Sequence, residues 1–353
     1  MHRLVLTGPA LRGGALALLA ALLFGASMPL VQQVGRGLGP FTTAALLYAG
    51  AACIGALLRQ RPEREAALRR ADLPRLLLLA ACGAVIGPVA LAWGLQRTSG
   101  TGASLMLTLE ALFTALLAWR LYGEVMDRRV WAALLMLFAG GVVLVLDQGR
   151  GGNSQLLGLL AIGLATVAWG VDNCLSRALA ERDPGQVVMA KAALGAGAAL
   201  VLAVLAGEPL PGAAAASALL VIGASGYGLS LRFYLLAQRT FGAARTGSVF
   251  AFAPFVGAGI ALLMGDRLAS WGMAAGGALM LAGVALHLME SHAHEHEHEA
   301  LEHEHAHTHT HGDDHHDHWH DPMPVGAHSH PHRHEPKRHA HPHVPDAHHT
   351  HRH

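Results

Sequence analysis

The sequence predicts an all-α integral membrane fold: ten transmembrane helices arranged as two inverted five-helix repeats, followed by a disordered C-terminal tail. Three observations predict it. Residues 13 to 289 are a succession of apolar runs of about twenty residues, each long enough to cross the roughly 30 Å hydrocarbon core as a helix. Short motifs recur within that region at one fixed offset. After Glu290 the composition turns abruptly to histidine and acid.

The spans fall at 14–34, 40–58, 75–95, 102–121, 130–147, 156–176, 186–206, 214–236, 245–264 and 271–289. The first is long for a signal peptide and nine more follow, so it reads as a retained span. With the N-terminus (1–12) in the cytoplasm, fifteen arginines fall in inner loops and four, Arg36, Arg97, Arg150 and Arg267, in outer loops. That bias sets the orientation, and an even number of spans returns the tail to the cytoplasm. Trp93, Trp119, Trp131 and Trp271 lie near predicted helix ends, where interfacial aromatics belong. Cys53, Cys82 and Cys174 sit in separate apolar runs and read as small packing residues, with no disulfide framework.

The repeat gives the domain organisation. Gln96-Arg97-Thr98 with Gly100 recurs as Gln238-Arg239-Thr240 with Gly242. Gly123-Glu124 recurs as Gly265-Asp266, and Gly141-Val142 as Gly283-Val284, all 142 residues apart. Phe24-Gly25 resembles Trp169-Gly170 more loosely. The halves are 13–147 and 156–289, with five spans each. An odd number makes the second half enter the membrane from the opposite side, the arrangement with which many secondary transporters alternate access to a midplane site. The competing reading is a duplicated membrane protein that transports nothing.

The segments Ala103 to Leu146 and Thr246 to Leu286 each end a span in Gly-Glu or Gly-Asp and place Gly-Val 17 residues after the acid. On these segments the chain resembles the drug/metabolite transporter superfamily, with two EamA-type five-helix units over residues 10 to 290. Trp169-Gly170-Val171-Asp172-Asn173 and the histidine-glutamate tail resemble one bacterial branch of it. The resemblance implies ten helices, the bacterial inner membrane and transport of small solutes; it implies no particular substrate. One departure is Glu110, which stands where the second unit has Pro254 and where many relatives carry proline in both halves.

Charged groups inside spans usually face a cavity or pair with each other. Glu110 lies near mid-depth in the fourth span, where a carboxyl group is placed to take up and release a coupling proton. The competing role is a structural hydrogen bond to another helix. Asp172 and Asn173 lie near the inner end of the sixth span, Lys191 in the seventh and Arg232 near the inner end of the eighth. A short loop joins the sixth and seventh spans, so these residues share a depth and form a predicted charge cluster. Against this, Lys191 and Arg232 have stems long enough to snorkel to the cytoplasm. Pro29, Pro88 and Pro254 each remove a backbone hydrogen bond inside a span. Pro254 is the candidate hinge facing the pathway. The Gly83/Gly87 and Gly272/Gly276 pairs have the spacing of close helix contacts.

The tail, 290–353, holds 24 of the 26 histidines, and from Ser291 eleven Asp and Glu against four Lys and Arg. Its apolar content is too low to form a core. His292, His294, His296, His298, His303, His305, His307, His309 and His311 alternate with acids and small residues. Such a donor set suits zinc, nickel, cobalt or copper, and the expected ligands are Zn, Ni or Co, with no cofactor required for transport. His294 to His298 and His303 to His307 match the His-Glu-x-x-His pattern of zinc proteases. In a low-complexity tract without an apolar helix this carries no catalysis. The tail is equally suited to sensing pH, since histidine titrates near pH 6.5.

Three functions remain open from sequence: a secondary transporter of small organic solutes coupled to protons or ions, a transition-metal transporter served by the tail, and a metal-responsive membrane sensor. The chain carries no ATP-binding motif and no nucleic-acid module, and it reads as no enzyme. Expected partners are the lipid bilayer, a small-molecule substrate, divalent transition-metal ions and, in a homodimer, a second copy of the chain.

Overall fold

The fold is given by a computed structural model that describes residues 8–59, 66–122, 126–148, 152–179, 182–241, 243–266, 270–288, 293–297, 301–307, 328–334 and 338–342. Gly123, Glu124, His292, His298, His309 and His311 lie outside the described residues.

Eight helical stretches among the described residues are long and apolar enough to cross a membrane: Leu11–Val34, Pro40–Leu57, Arg70–Leu95, Gly100–Leu121, Arg128–Asp147, Asn153–Ser176, Pro184–Leu205 and Ala213–Gln238. Two shorter apolar helices, Ala253–Leu263 and Trp271–His287, follow. Leu18, Leu22, Leu135, Leu160, Val204 and Leu263 are among the large apolar side chains exposed on the outside. An outer surface this apolar is a lipid-facing one. The chain is an integral, multi-pass membrane protein.

The elements are α1 (Gly8–Val34), α2 (Pro40–Leu57), α3 (Leu73–Leu79), a π-helical segment (Ala80–Ile86), α4 (Gly87–Leu95), α5 (Gly100–Met106), α6 (Leu109–Tyr122) and α7 (Arg128–Gln148). They continue with α8 (Asn153–Ser176), α9 (Pro184–Leu205), α10 (Ala213–Ile222), a second π-helical segment (Gly223–Leu229), α11 (Ser230–Phe241), α12 (Ala243–Phe250), α13 (Ala253–Leu263) and α14 (Trp271–Leu288). α2 packs along α9, α7 along α14, and α1 along α11 and α13.

Helix ends follow local chemistry. Ser99 caps α5, its hydroxyl accepting from Gly102 N at 3.0 Å. Asp183 caps α9, accepting from Gly185 N at 2.9 Å, with Pro184 in the first turn. Asp127 accepts from the amides of Arg129 and Val130, both at 2.8 Å. Such caps satisfy amides that have no partner within their own helix.

The expected straight spans differ from the structure in four places. The third and eighth each contain a seven-residue π-helical segment, and the two segments start 143 residues apart. The fourth breaks at Leu107-Thr108 and the ninth at Ala251-Phe252, 144 residues apart. Pro254 sits in the first turn of α13, where its missing N–H costs nothing. Pro88 has a sharper effect. Around it the amides bond five residues back, as Gly87 N does to Cys82 O. In that register the missing Pro88 N–H leaves the Gly83 carbonyl free. Tyr48 Oη and Trp169 Nε1 both donate to it, the latter at 3.0 Å.

Side chains from the second half of the chain cap helices of the first. Glu208 accepts from the amides of Phe41 at 3.2 Å and Thr42 at 2.7 Å, at the start of α2. Asp266 Oδ2 accepts from Thr101 N at 2.8 Å and Thr101 Oγ1 at 3.0 Å, at the start of α5. At the opposite end of the bundle, Arg182 pairs with Asp72 at 3.0 Å and Arg232 donates to the Leu58 carbonyl at 3.2 Å.

Four short segments of the tail are among the described residues. β1 (Ala293–Glu297) pairs antiparallel with β4 (Arg338–Pro342), and β2 (Leu301–His307) with β3 (His328–His334). A two-residue alternation of types matches the strand period. His294 and His296 lie in β1, and His303, His305 and His307 in β2.

Candidate functional site

One cavity opens among α1, α2, α6, α8, α9, the second π segment, α11 and α12, and three charged side chains line it: Glu110, Asp172 and Lys191. Each stands where it does for a local reason. Glu110 is the second residue of α6, directly after the break at Leu107-Thr108. The break turns the chain so that a new helix starts beside the cavity, with the carboxyl group in its first turn. Asp172 and Asn173 lie on α8, one turn from its end, and Lys191 on α9, two turns from its start. Because a short loop joins these antiparallel helices, positions 19 apart come level.

Two polar pairs result. Asn173 Nδ2 donates to Glu110 Oε1 at 2.6 Å. Lys191 Nζ donates to Asp172 Oδ2 in an ion pair with both residues buried. A buried charge needs such a partner, since desolvation of a lone ion costs several kcal/mol. Asp172 Oδ1 is buried and has no hydrogen-bond partner among the described residues. A side chain at Gly83 would collide with the Asp172 carboxyl group, which accounts for the glycine there.

Aromatic rings complete the wall. Phe24 on α1 stands edge to face with Trp169 at 5.7 Å and with Tyr227 at 5.8 Å. Tyr48 meets Tyr227 at 5.5 Å, and Phe250 meets Phe24 at 5.4 Å and Tyr234 at 5.1 Å. All six line the cavity. Ser230 is turned away, donating to the Ala20 carbonyl at 2.9 Å.

Of the residues singled out from sequence, Glu110, Asp172, Asn173 and Lys191 come together on this wall. Arg232 does not join them. It reaches the Leu58 carbonyl at the end of α2, because α11 places it beyond the cavity. Pro254 is buried in α13, off the cavity wall, with Gly25 of α1 packed against the adjacent Ala253 carbonyl. Gly83 and Gly87 are close contacts to Asp172 and Trp169, and Gly276 to Gly140. Among the described residues, no three His, Cys, Asp or Glu converge to hold a metal ion.

Sequence reasoning missed the ring cluster. Its members are spread over six elements, and each alone is an ordinary apolar residue. One signal was present: Phe24 and Trp169, matched as loose repeat partners, pack edge to face in the cavity wall.

Comparison with known proteins fits this geometry. Residues 11–146 match the EamA-like transporter family. An uncharacterized transporter of Methanothermobacter thermautotrophicus is 26% identical over 291 residues, covering 75% of this chain and 82% of its own. A crystal structure of a protein 21% identical superposes with a TM-score of 0.56, covering 78% of this chain and 96% of its own, and so shares the fold. The chain is a membrane transporter that carries an EamA-like transporter domain over residues 11–146.

Proposed function

We propose that the chain is a secondary transporter moving small organic solutes across a bacterial inner membrane by alternating access between two inverted five-helix repeats. The reading counts ten spans, with α12 and α13 together as the ninth and α14 as the tenth. It places the N-terminus and the tail in the cytoplasm, on the arginine bias of the loops. The two π segments and the two helix breaks, recurring 143 and 144 residues apart, support the repeat.

One observation carries the proposal. Two carboxylates and one ammonium line a ring-walled cavity deep in an apolar bundle, where charged residues mark a substrate or ion path. Glu110 is the coupling residue: it faces the cavity, starts a helix at a break and holds one neutral partner, Asn173. Protonation there removes a charge without disturbing the Asp172–Lys191 pair.

The test uses the full chain in proteoliposomes under an imposed pH gradient. Solute flux should follow the gradient in the native protein. In Glu110→Gln the gradient should no longer drive it. Full gradient-driven flux in Glu110→Gln sinks the assignment. The histidine tail is a separate proposal, a cytoplasmic binder of Zn, Ni or Co.

A further inference from the structure

We propose that the cavity selects a primary organic ammonium carrying an aromatic or apolar body, and rejects anions and zwitterions. The inference rests on the transport reading and names its substrate class.

The hydrogen-bonding inventory decides it. Five donor side chains on the wall have acceptors, and Tyr227 Oη, a hydroxyl that accepts as well as donates, has no partner among the described residues. Tyr48 Oη and Trp169 Nε1 both donate to the Gly83 carbonyl. Ser230 Oγ donates to the Ala20 carbonyl, Asn173 Nδ2 to Glu110, and Lys191 Nζ to Asp172. An acceptor is left over: Asp172 Oδ1, on a residue only 5% exposed, has no partner among the described residues. Buried polar atoms are paired as a rule, and an unpaired one calls for an explanation. A ligand that brings N–H donors satisfies it; a ligand that brings a carboxylate does not.

Charge points the same way. With both carboxylates ionised, Glu110, Asp172 and Lys191 sum to one negative charge on the wall. A single cation neutralises it, and so does a single proton on Glu110. The two therefore exclude each other, which is the requirement for exchange. A zwitterion needs a free cation for its carboxylate, and Lys191 is already held by Asp172. The rings supply the rest of the site. Aromatic faces attract an ammonium, more strongly where water is excluded, and Phe24, Tyr227 and Phe250 offer a broad apolar surface.

The test is equilibrium binding to the purified full chain in detergent, read by quenching of Trp169 fluorescence, with Trp169→Phe as the blank. Three probes share one body: phenethylammonium, phenylalanine, which adds a carboxylate, and propylbenzene, which replaces the ammonium by a methyl group. Phenethylammonium should bind at least roughly tenfold tighter than either, the size expected for hydrogen bonds to charged groups. Its affinity should weaken as pH falls in the native protein and lose that dependence in Glu110→Gln. Equal or tighter binding of phenylalanine or propylbenzene overturns the inference, and this comparison needs no variant to fold. Solute flux in proteoliposomes without ammonium binding also overturns it and leaves the transport reading standing. Selective ammonium binding without flux upholds it and removes the transport reading.

Discussion

Asn173 of α8 donates to Glu110 of α6 at 2.6 Å, across the break that starts α6. The carboxyl oxygen is an acceptor in either protonation state, so the bond persists while the charge changes. Glu110→Gln keeps an acceptor of the same shape. Its melting temperature in detergent should stay within about 2 °C of the native value, a shift of at most about 1.5 kcal/mol for a chain of this size. A drop of roughly 8 °C or more would show that Glu110 is structural.

Removing one partner of the Asp172–Lys191 pair strands a buried charge. Lys191→Met alone should destabilise by about 3–5 kcal/mol. Adding Asp172→Leu in the same chain should recover most of that loss, because no ion is then left without a partner. Additive losses in the double variant would contradict the pairing. Unfolding in detergent with increasing denaturant measures all three.

Pro88 holds two side chains without touching their polar atoms. Pro88→Ala returns an N–H that competes for the Gly83 carbonyl with Tyr48 and Trp169. The emission of Trp169, obtained by difference from Trp169→Phe, should shift on that substitution. Tyr48→Phe removes one of the two donors and should cost about 1 kcal/mol. An unchanged Trp169 spectrum in Pro88→Ala would falsify the linkage.

Two glycines should respond oppositely to the same change. A Cβ at Gly223 would run into the Leu47 backbone of α2, which has no soft end to move. Gly223→Ala should therefore cost about 1–3 kcal/mol. Gly259 of α13 has nothing within 4 Å of a Cβ. Gly259→Ala should be neutral, or gain up to about 1 kcal/mol from helix propensity. Melting temperatures in one detergent decide both.

For the tail, equilibrium dialysis against zinc should load several ions on the full chain. A version ending at Glu290 should take up none above background. Equal loading of the two would place metal binding outside the tail.

The sequence made some of this site visible and hid the rest for physical reasons. Membrane spans show because hydrophobic length is a local property. The Asp172–Lys191 pair was readable because two antiparallel helices with a short loop bring such positions level. Glu110 was readable because a lone acid in an apolar run stands out. Its partner was not, since Asn173 reaches it from another helix through tertiary packing. The break at Leu107-Thr108 has no proline or glycine to announce it. The π segments depend on register, and register is set by neighbours. Arg232 was misplaced because shared depth does not fix which way a helix faces.

The acidic caps Glu208 and Asp266 bind amides of α2 and α5 at the same end of the bundle. A helix cap contributes only about 0.5–2 kcal/mol, and water can take the place of either carboxylate. At that end the second half of the chain is thus tied to the first by contacts each within a few multiples of thermal energy.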